Sequence, residues 1–280
     1  MKEPAIADQN NAATEIKWSR YKFPESLYKH GTLLLVLAFL GYSLHFLNVD
    51  LGKLTGALGR LAAVLSDRYY PPDLEYVLDK GYLSSILDTI QMSFLGGFTG
   101  VCLAIPLAWF SAANVTPHRL FFPLGRLGVV FCRAIHETIW TILFVSVLGF
   151  GMLAGVSALT MFCVGFAGKL FADEIEAIDM GPVEAIRATG ANPLQVFLFA
   201  VVPQIRVAFT GIAIYTWDVA FRAATVVGFF GGGGMGWYLK RNVQQLENLR
   251  VAAIIISIIA MVLVAEFLSG YLRAAVNRAK

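Results

Sequence analysis

Apolar positions along this chain fall in long blocks separated by short polar stretches. That is the pattern of helices surrounded by hydrocarbon rather than of one-sided helices on a soluble core. A helix needs roughly 20 mostly apolar residues to cross ~30 Å of hydrocarbon. The blocks predict spans at about 32–47, 86–112, 128–148, 152–171, 205–230 and 251–268. Between the first two, Leu51, Leu54, Leu58, Leu61 and Leu65 recur at steps of three and four, which puts one apolar stripe on a helix too polar elsewhere to cross. This segment, 51–80, is expected to lie flat on the membrane or on the neighbouring spans. Tyr69-Tyr70-Pro71-Pro72-Asp73 ends its helix, because the prolines lack an amide proton and disfavour helical geometry in the residue before them. Gly96, Gly97 and Gly100 in the second span predict close helix approach, since packing drives association in lipid.

Composition agrees: 57% of residues are hydrophobic and 15% charged, against ~45–50% and ~25% in soluble domains. The expected fold class is all-α, a polytopic membrane helix bundle of about six transmembrane helices. Residues 1–29, with Lys2, Lys17, Arg20, Lys22 and Lys29, read as a solvated arm bearing a helix near 18–28 at the headgroups, and 30–280 as one membrane domain. Cys102, Cys132 and Cys163 lie inside apolar blocks without metal or disulfide spacing and are expected to be buried and inert. With both termini on the inner side, the inner segments hold thirteen Lys and Arg and the outer seven, with Arg133 and Arg222 inside spans. The positive-inside rule therefore places both termini, and the polar stretch 173–203, in the cytoplasm.

That stretch carries a motif. Glu184 stands near the start of a predicted helix, where the positive end of the dipole favours a carboxylate. Gly190 permits a sharp reversal, and Asn192-Pro193 starts a second helix, about 191–199, with proline in its tolerated first turn. Glu184, Ala185, Gly190 and Pro203 resemble, at matching offsets, the EAA loop of ABC importer permeases: EAA, three residues, Gly, nine residues, Ile, one residue, Leu-Pro. Ile186, Ala200 and Val202 depart from that pattern apolar for apolar. The resemblance implies the type I ABC importer permease fold. It also implies a coupling helix built on Ala191, Asn192 and Pro193 that docks on an ATPase subunit and transmits its closure to the spans. An ordinary amphipathic connector is the alternative.

A narrower resemblance covers 133–143, RAIHETIWTIL, and 217–236, WDVAFRAATVVGFFGGGGMG. These are similar to spans of phosphonate permeases, the PhnE family, where an acid four residues before an arginine runs into a VGxGGIG-like turn. Asp218 stands where Glu is common there, and 231–236 is richer in glycine than the usual turn. The resemblance implies import of a phosphonate or a related oxyanion such as phosphite or hypophosphite, across a bacterial inner membrane. It implies a homodimer, two ABC ATPase subunits that bind ATP and Mg, and a periplasmic phosphonate-type binding protein. Methionine is the rival cargo, since its permeases share the loop and the glycine turn.

Arg133 with Glu137, and Asp218 with Arg222, are spaced to pair along one helix face. Charges inside spans are costly and face a bundle interior or an aqueous path. Two readings stand: structural ion pairs that fix helix rotation, or a cargo route lined by Arg133, His136 and Arg222, with Trp217 and Glu137 beside it. Gly231, Gly233, Gly234 and Gly236 are expected to form a tight, adjustable turn at the outer mouth, not a nucleotide loop, because no βαβ unit precedes them. His136-Glu137 begins a zinc-protease pattern but Trp140 replaces its second His, so no metal site is expected. No P-loop is present, so ATP hydrolysis falls to a partner; no catalytic residue, cofactor in this chain or nucleic acid is expected. A secondary transporter using Asp218 and Glu137 as ion sites, and an intramembrane enzyme at His136, are the rivals from other classes.

Overall fold

The computed structural model describes residues 25–48 and 52–278, which divide into two units at Ala62. The arm before Glu25, its basic residues and Leu51 lie outside the described residues. In the first unit α1 (Glu25–Phe46) exposes its side chains from Tyr28 to Phe46, with Ser43 alone half-buried. Lys29 and His30 at one end and His45 at the other leave it an apolar stretch too short to count among the spanning helices. Helix α2 (Gly52–Thr55) is broken at Gly56 from α3 (Ala57–Arg68), which buries no residue and stops ahead of the two prolines.

The second unit holds α4 (Leu74–Leu78), α5 (Lys80–Ser111), α6 (Phe121–Ala134), α7 (Glu137–Leu148), α8 (Met152–Glu176), α9 (Met180–Ala188), α10 (Pro193–Val196), α11 (Val202–Val227), α12 (Gly234–Gln244) and α13 (Asn248–Arg278). Among the described residues four helices are long and apolar enough to cross a membrane: α5, α8, the continuous stretch Pro193–Gly232, and α13. A fifth crossing is available if α6 and α7 are one span, but these two meet at 89°. Against the expected six or so, four helices qualify and the broken α6–α7 pair offers a fifth, while α1 falls short.

Helices α5 and α8 form the centre, with α6, α7 and α11 packed on them and α13 beyond α11. Gly96 and Gly100 sit where a Cβ would lie 2.6 Å from Leu159 Cβ and 2.4 Å from Cys163 Cβ, so the two backbones touch. At one end of the bundle Trp109 stacks on Phe197 at 4.8 Å and Phe171 on Phe209 at 4.0 Å, over a core of Ala104, Ala108, Ile175, Val183 and Val201. Cys132 and Cys163 are buried as expected; Cys102 is exposed, on a face of α5 that the bundle does not cover.

Candidate functional site

The loop between α8 and α11 is held at the end of the bundle where α5 and α8 finish. Asp179 caps α9 by accepting the Gly181 amide at 3.0 Å. Glu184 lies in the middle of α9 rather than its first turn, so the dipole argument belongs to Asp179. Glu184 and Ala185 are exposed, while Val183 and Ile186 on the opposite side join the core. Gly190 reverses the chain with φ of +80°, the left-handed region that glycine enters without strain. Asn192 and Gln195 cap each other reciprocally, each backbone N–H donating to the other's side-chain oxygen at 2.9 Å, with Pro193 as the first helical residue.

The second helix of the loop is not separate from the span. From Pro193 the chain stays helical to Val227 and ends in a wide turn at Gly228–Gly232; an earlier wide turn lies at Phe197–Val201, where the Val202 amide bonds to the Phe197 carbonyl five residues back. Pro203 accounts for that turn: it donates no hydrogen bond and its ring crowds the carbonyl four residues earlier. Leu194, Leu198 and Phe199 are exposed along the loop side of this helix, beside Ala191, which is half-buried. The loop is tied to its neighbours by Arg187, which donates to the Asn114 carbonyl at 3.4 Å, and by Asn114, which donates to the Ile175 carbonyl at 2.8 Å. Gln204 and Asp179 add a further tie.

Of the charges inside spans, Asp218 and Arg222 pair as expected, Arg222 Nη2 lying 2.9 Å from Asp218 Oδ2. Asp218 is buried, its Oδ1 has no partner among the described residues, and Arg222 is partly exposed. Trp217 borders an apolar cleft of about 340 Å³ formed with Phe98 and Leu272. Arg133 and Glu137 do not pair. The helix breaks between them at Ile135-His136, where His136 Nδ1 accepts the Thr138 amide and starts α7 in a new direction. Glu137 instead lies 3.3 Å from His136 Nε2, and Arg133 turns toward Arg126 and Lys169. Helical spacing is a guide only where the helix continues, and an exposed His136 at a break gave no such warning.

The glycine run is tight but not loose. Gly231, Gly233 and Gly234 have φ of +115°, +93° and +65°, and a Cβ would strike Phe150 from Gly231 and the Thr89 hydroxyl from Gly234. The Gly231 carbonyl accepts the Gly151 amide at 3.0 Å, and Thr89 Oγ1 accepts the Met235 amide at 2.8 Å. Gly231, Gly234 and Gly236 are buried, so the turn is wedged among α5, α7 and α8.

Residues 83–278 match the family described as binding-protein-dependent transport system inner membrane component. The chain belongs to this family. The permease is 41% identical to the phosphite transport system permease protein PtxC of Stutzerimonas stutzeri over 75% of its own length and 76% of the relative's. It is 36% identical to the phosphate-import permease protein PhnE of Mycolicibacterium smegmatis, over 75% of its own length but only 39% of the longer relative. Its fold resembles that of the MetNI methionine ABC transporter in inward-facing form, at a TM-score of 0.58 and 20% identity, covering 70% of the permease and 95% of that chain.

Reading the sequence missed three groups. Arg126 and Lys169 sit on different helices, so only packing brings them beside Arg133. Asp179 and Gln204 carry no motif. Glu266 did have a signal, being the one charged residue between Arg250 and Arg273; it is exposed on α13 without an ion pair among the described residues.

Proposed function

We propose that this permease is the membrane subunit of an ATP-driven importer for phosphite, phosphonate or a related phosphorus oxyanion. The observation that carries the cargo class is the 41% identity to a phosphite permease across three quarters of both chains. Methionine has weaker support, 25–26% identity to methionine permeases over 53% of the chain and a fold likeness at 20% identity. Two copies of the chain work with two ATPase subunits, which supply the ATP and Mg chemistry, and with a periplasmic binding protein that delivers the cargo.

The ATPase docks on the surface made by Glu184, Ala185, Gly190, Asn192 and the exposed Leu194, Leu198 and Phe199, with both termini on that cytoplasmic side. Because the helix from Pro193 runs unbroken into the span, a push on Leu194 reaches Pro203 and Ile205 as rigid displacement rather than through a flexible joint. The wedged turn at Gly231–Gly236 lies at the other end of the same helix and serves as the periplasmic gate. Asp218 and Arg222 fix the rotation of α11.

Vesicles holding the permease with its ATPase and loaded binding protein test this directly. Phosphite uptake that needs ATP and survives collapse of the membrane potential supports it. Uptake without the ATPase that collapses with the potential would return the chain to the secondary transporters.

A further inference from the structure

A cleft of about 450 Å³ on the permease is lined by three cations: Arg126 and Arg133 of α6 and Lys169 of α8, with Ser111 and Ala172 at its floor. Two of the cations are compensated. Arg126 lies 3.3 Å from Glu176 Oε1 and also donates to the Ser111 carbonyl, and Lys169 pairs with Asp173 one turn on. Arg133 is exposed and has neither carboxylate nor hydrogen bond among the described residues.

Its position is built, not incidental. A Cβ on Gly165 would lie 2.8 Å from the Arg133 amide nitrogen and 2.9 Å from its Cγ, so glycine there lets the last turn of α6 rest on α8. Gly165 is the fourteenth of the 25 residues of α8, roughly 16–20 Å from either end. That is near the middle of a ~30 Å hydrocarbon core, where a lone guanidinium is stable only against water or an anion.

We propose that this cleft is a way-station for a phosphorus oxyanion on the half of the path toward Glu176, with Arg133 receiving the anion and Arg126 and Lys169 drawing it onward. The inference rests on the phosphorus cargo proposed above and adds where that cargo is held. A guanidinium fork matches two oxygens of such an anion. Glu176 and Asp173 compete for the two outer cations, which leaves the cleft about one positive charge in excess and binding weak enough for release. A lipid headgroup phosphate offers the same chemistry, but from the interface it reaches Arg126 rather than Arg133 at mid-depth.

The assembled transporter, with ATPase subunits and binding protein, is placed in vesicles of zwitterionic lipid and in vesicles containing anionic lipid, with phosphite as the probe. Arg133→Gln is expected to lower uptake at least tenfold in both, while ATP hydrolysis stimulated by loaded binding protein stays within twofold of the parent. Arg133→Lys should recover some of the loss, and Lys169→Gln should cost a few-fold. Unchanged uptake by Arg133→Gln, beside a parent that imports phosphite, overturns the inference alone. So does a defect that follows the anionic lipid content, which marks a headgroup site, or loss of the assembled complex in gel filtration, which marks an assembly contact. A parent that imports methionine and no phosphorus oxyanion overturns the cargo class and this inference with it.

Discussion

Asp179 and Gln204 exchange two hydrogen bonds across 25 residues of chain: the Asp179 amide donates to Gln204 Oε1 at 3.1 Å, and Gln204 Nε2 donates to the Asp179 carbonyl at 3.2 Å. Asp179 caps α9 and Gln204 follows Pro203 at the head of the span. One side-chain amide therefore ties the entry of the loop to its exit.

Gln204→Leu removes both bonds at an exposed site where water replaces them, a cost of about 1 kcal/mol. The complex should assemble, but phosphite imported per ATP hydrolysed should fall several-fold, because α9 is no longer tied to the head of the span. Simultaneous uptake and phosphate-release assays check it; a transport ratio equal to the parent's would show that the tie carries no coupling.

At Gly190 the space for a Cβ is open, with nothing within 4 Å, so a substitution tests backbone conformation alone. Gly190→Val should cost about 1–2 kcal/mol, and Gly190→Asn less, because Asn tolerates the left-handed region. Thermal unfolding in detergent and co-purification of the ATPase should rank the variants Gly, Asn, Val. Equal behaviour of Asn and Val would remove the left-handed turn from the explanation.

The membrane class, the helix-rich fold and the loop motif were legible because each is written locally: in block length, in the absence of strand alternation, and in the offsets from Glu184 to Pro203. The break at His136 was not: Arg133, His136 and Glu137 interrupt the apolar run of 128–148 at that point, but polar residues there read equally as ion pairs on one continuous helix, and only packing makes the 89° bend. Nor was the meeting of Arg133 with Lys169, which needs Gly165 to bring α6 against α8. The glycine run was legible as a turn but not as a buried one, because exposure depends on Phe150 and Thr89 from other segments of the chain.

Close packing of α5 on α8 gives a contrast between two glycines. A Cβ on Gly100 would lie 2.4 Å from Cys163 Cβ and 3.0 Å from the Thr160 carbonyl, so Gly100→Ala must push the two helix backbones away from each other, at about 1–3 kcal/mol. Gly41→Ala on α1 meets nothing within 4 Å and gains helix propensity. The first should lower the melting temperature of the purified permease and the second leave it level or raised. A similar drop in both would place the α5–α8 contact elsewhere.

The Asp218–Arg222 pair is unequal, and the inequality sets an order among its variants. Asp218 is 2% exposed, whereas the Arg222 side chain is 40% exposed. Arg222→Gln leaves a buried carboxylate without its cation, a loss of about 3 kcal/mol. Asp218→Asn leaves a guanidinium that is far less buried than the carboxylate, so it should cost less. The double variant removes both charges and should regain most of the stability of the parent. Stability and phosphite uptake measured on all three then assign the pair. If Asp218 and Arg222 only fix the rotation of α11, the double variant recovers uptake together with its melting temperature, and that is the result expected from a carboxylate buried this deeply. A double variant as stable as the parent yet unable to import phosphite would instead put Arg222 on the cargo path, and would extend the anion's route from the Arg133 cleft across to α11.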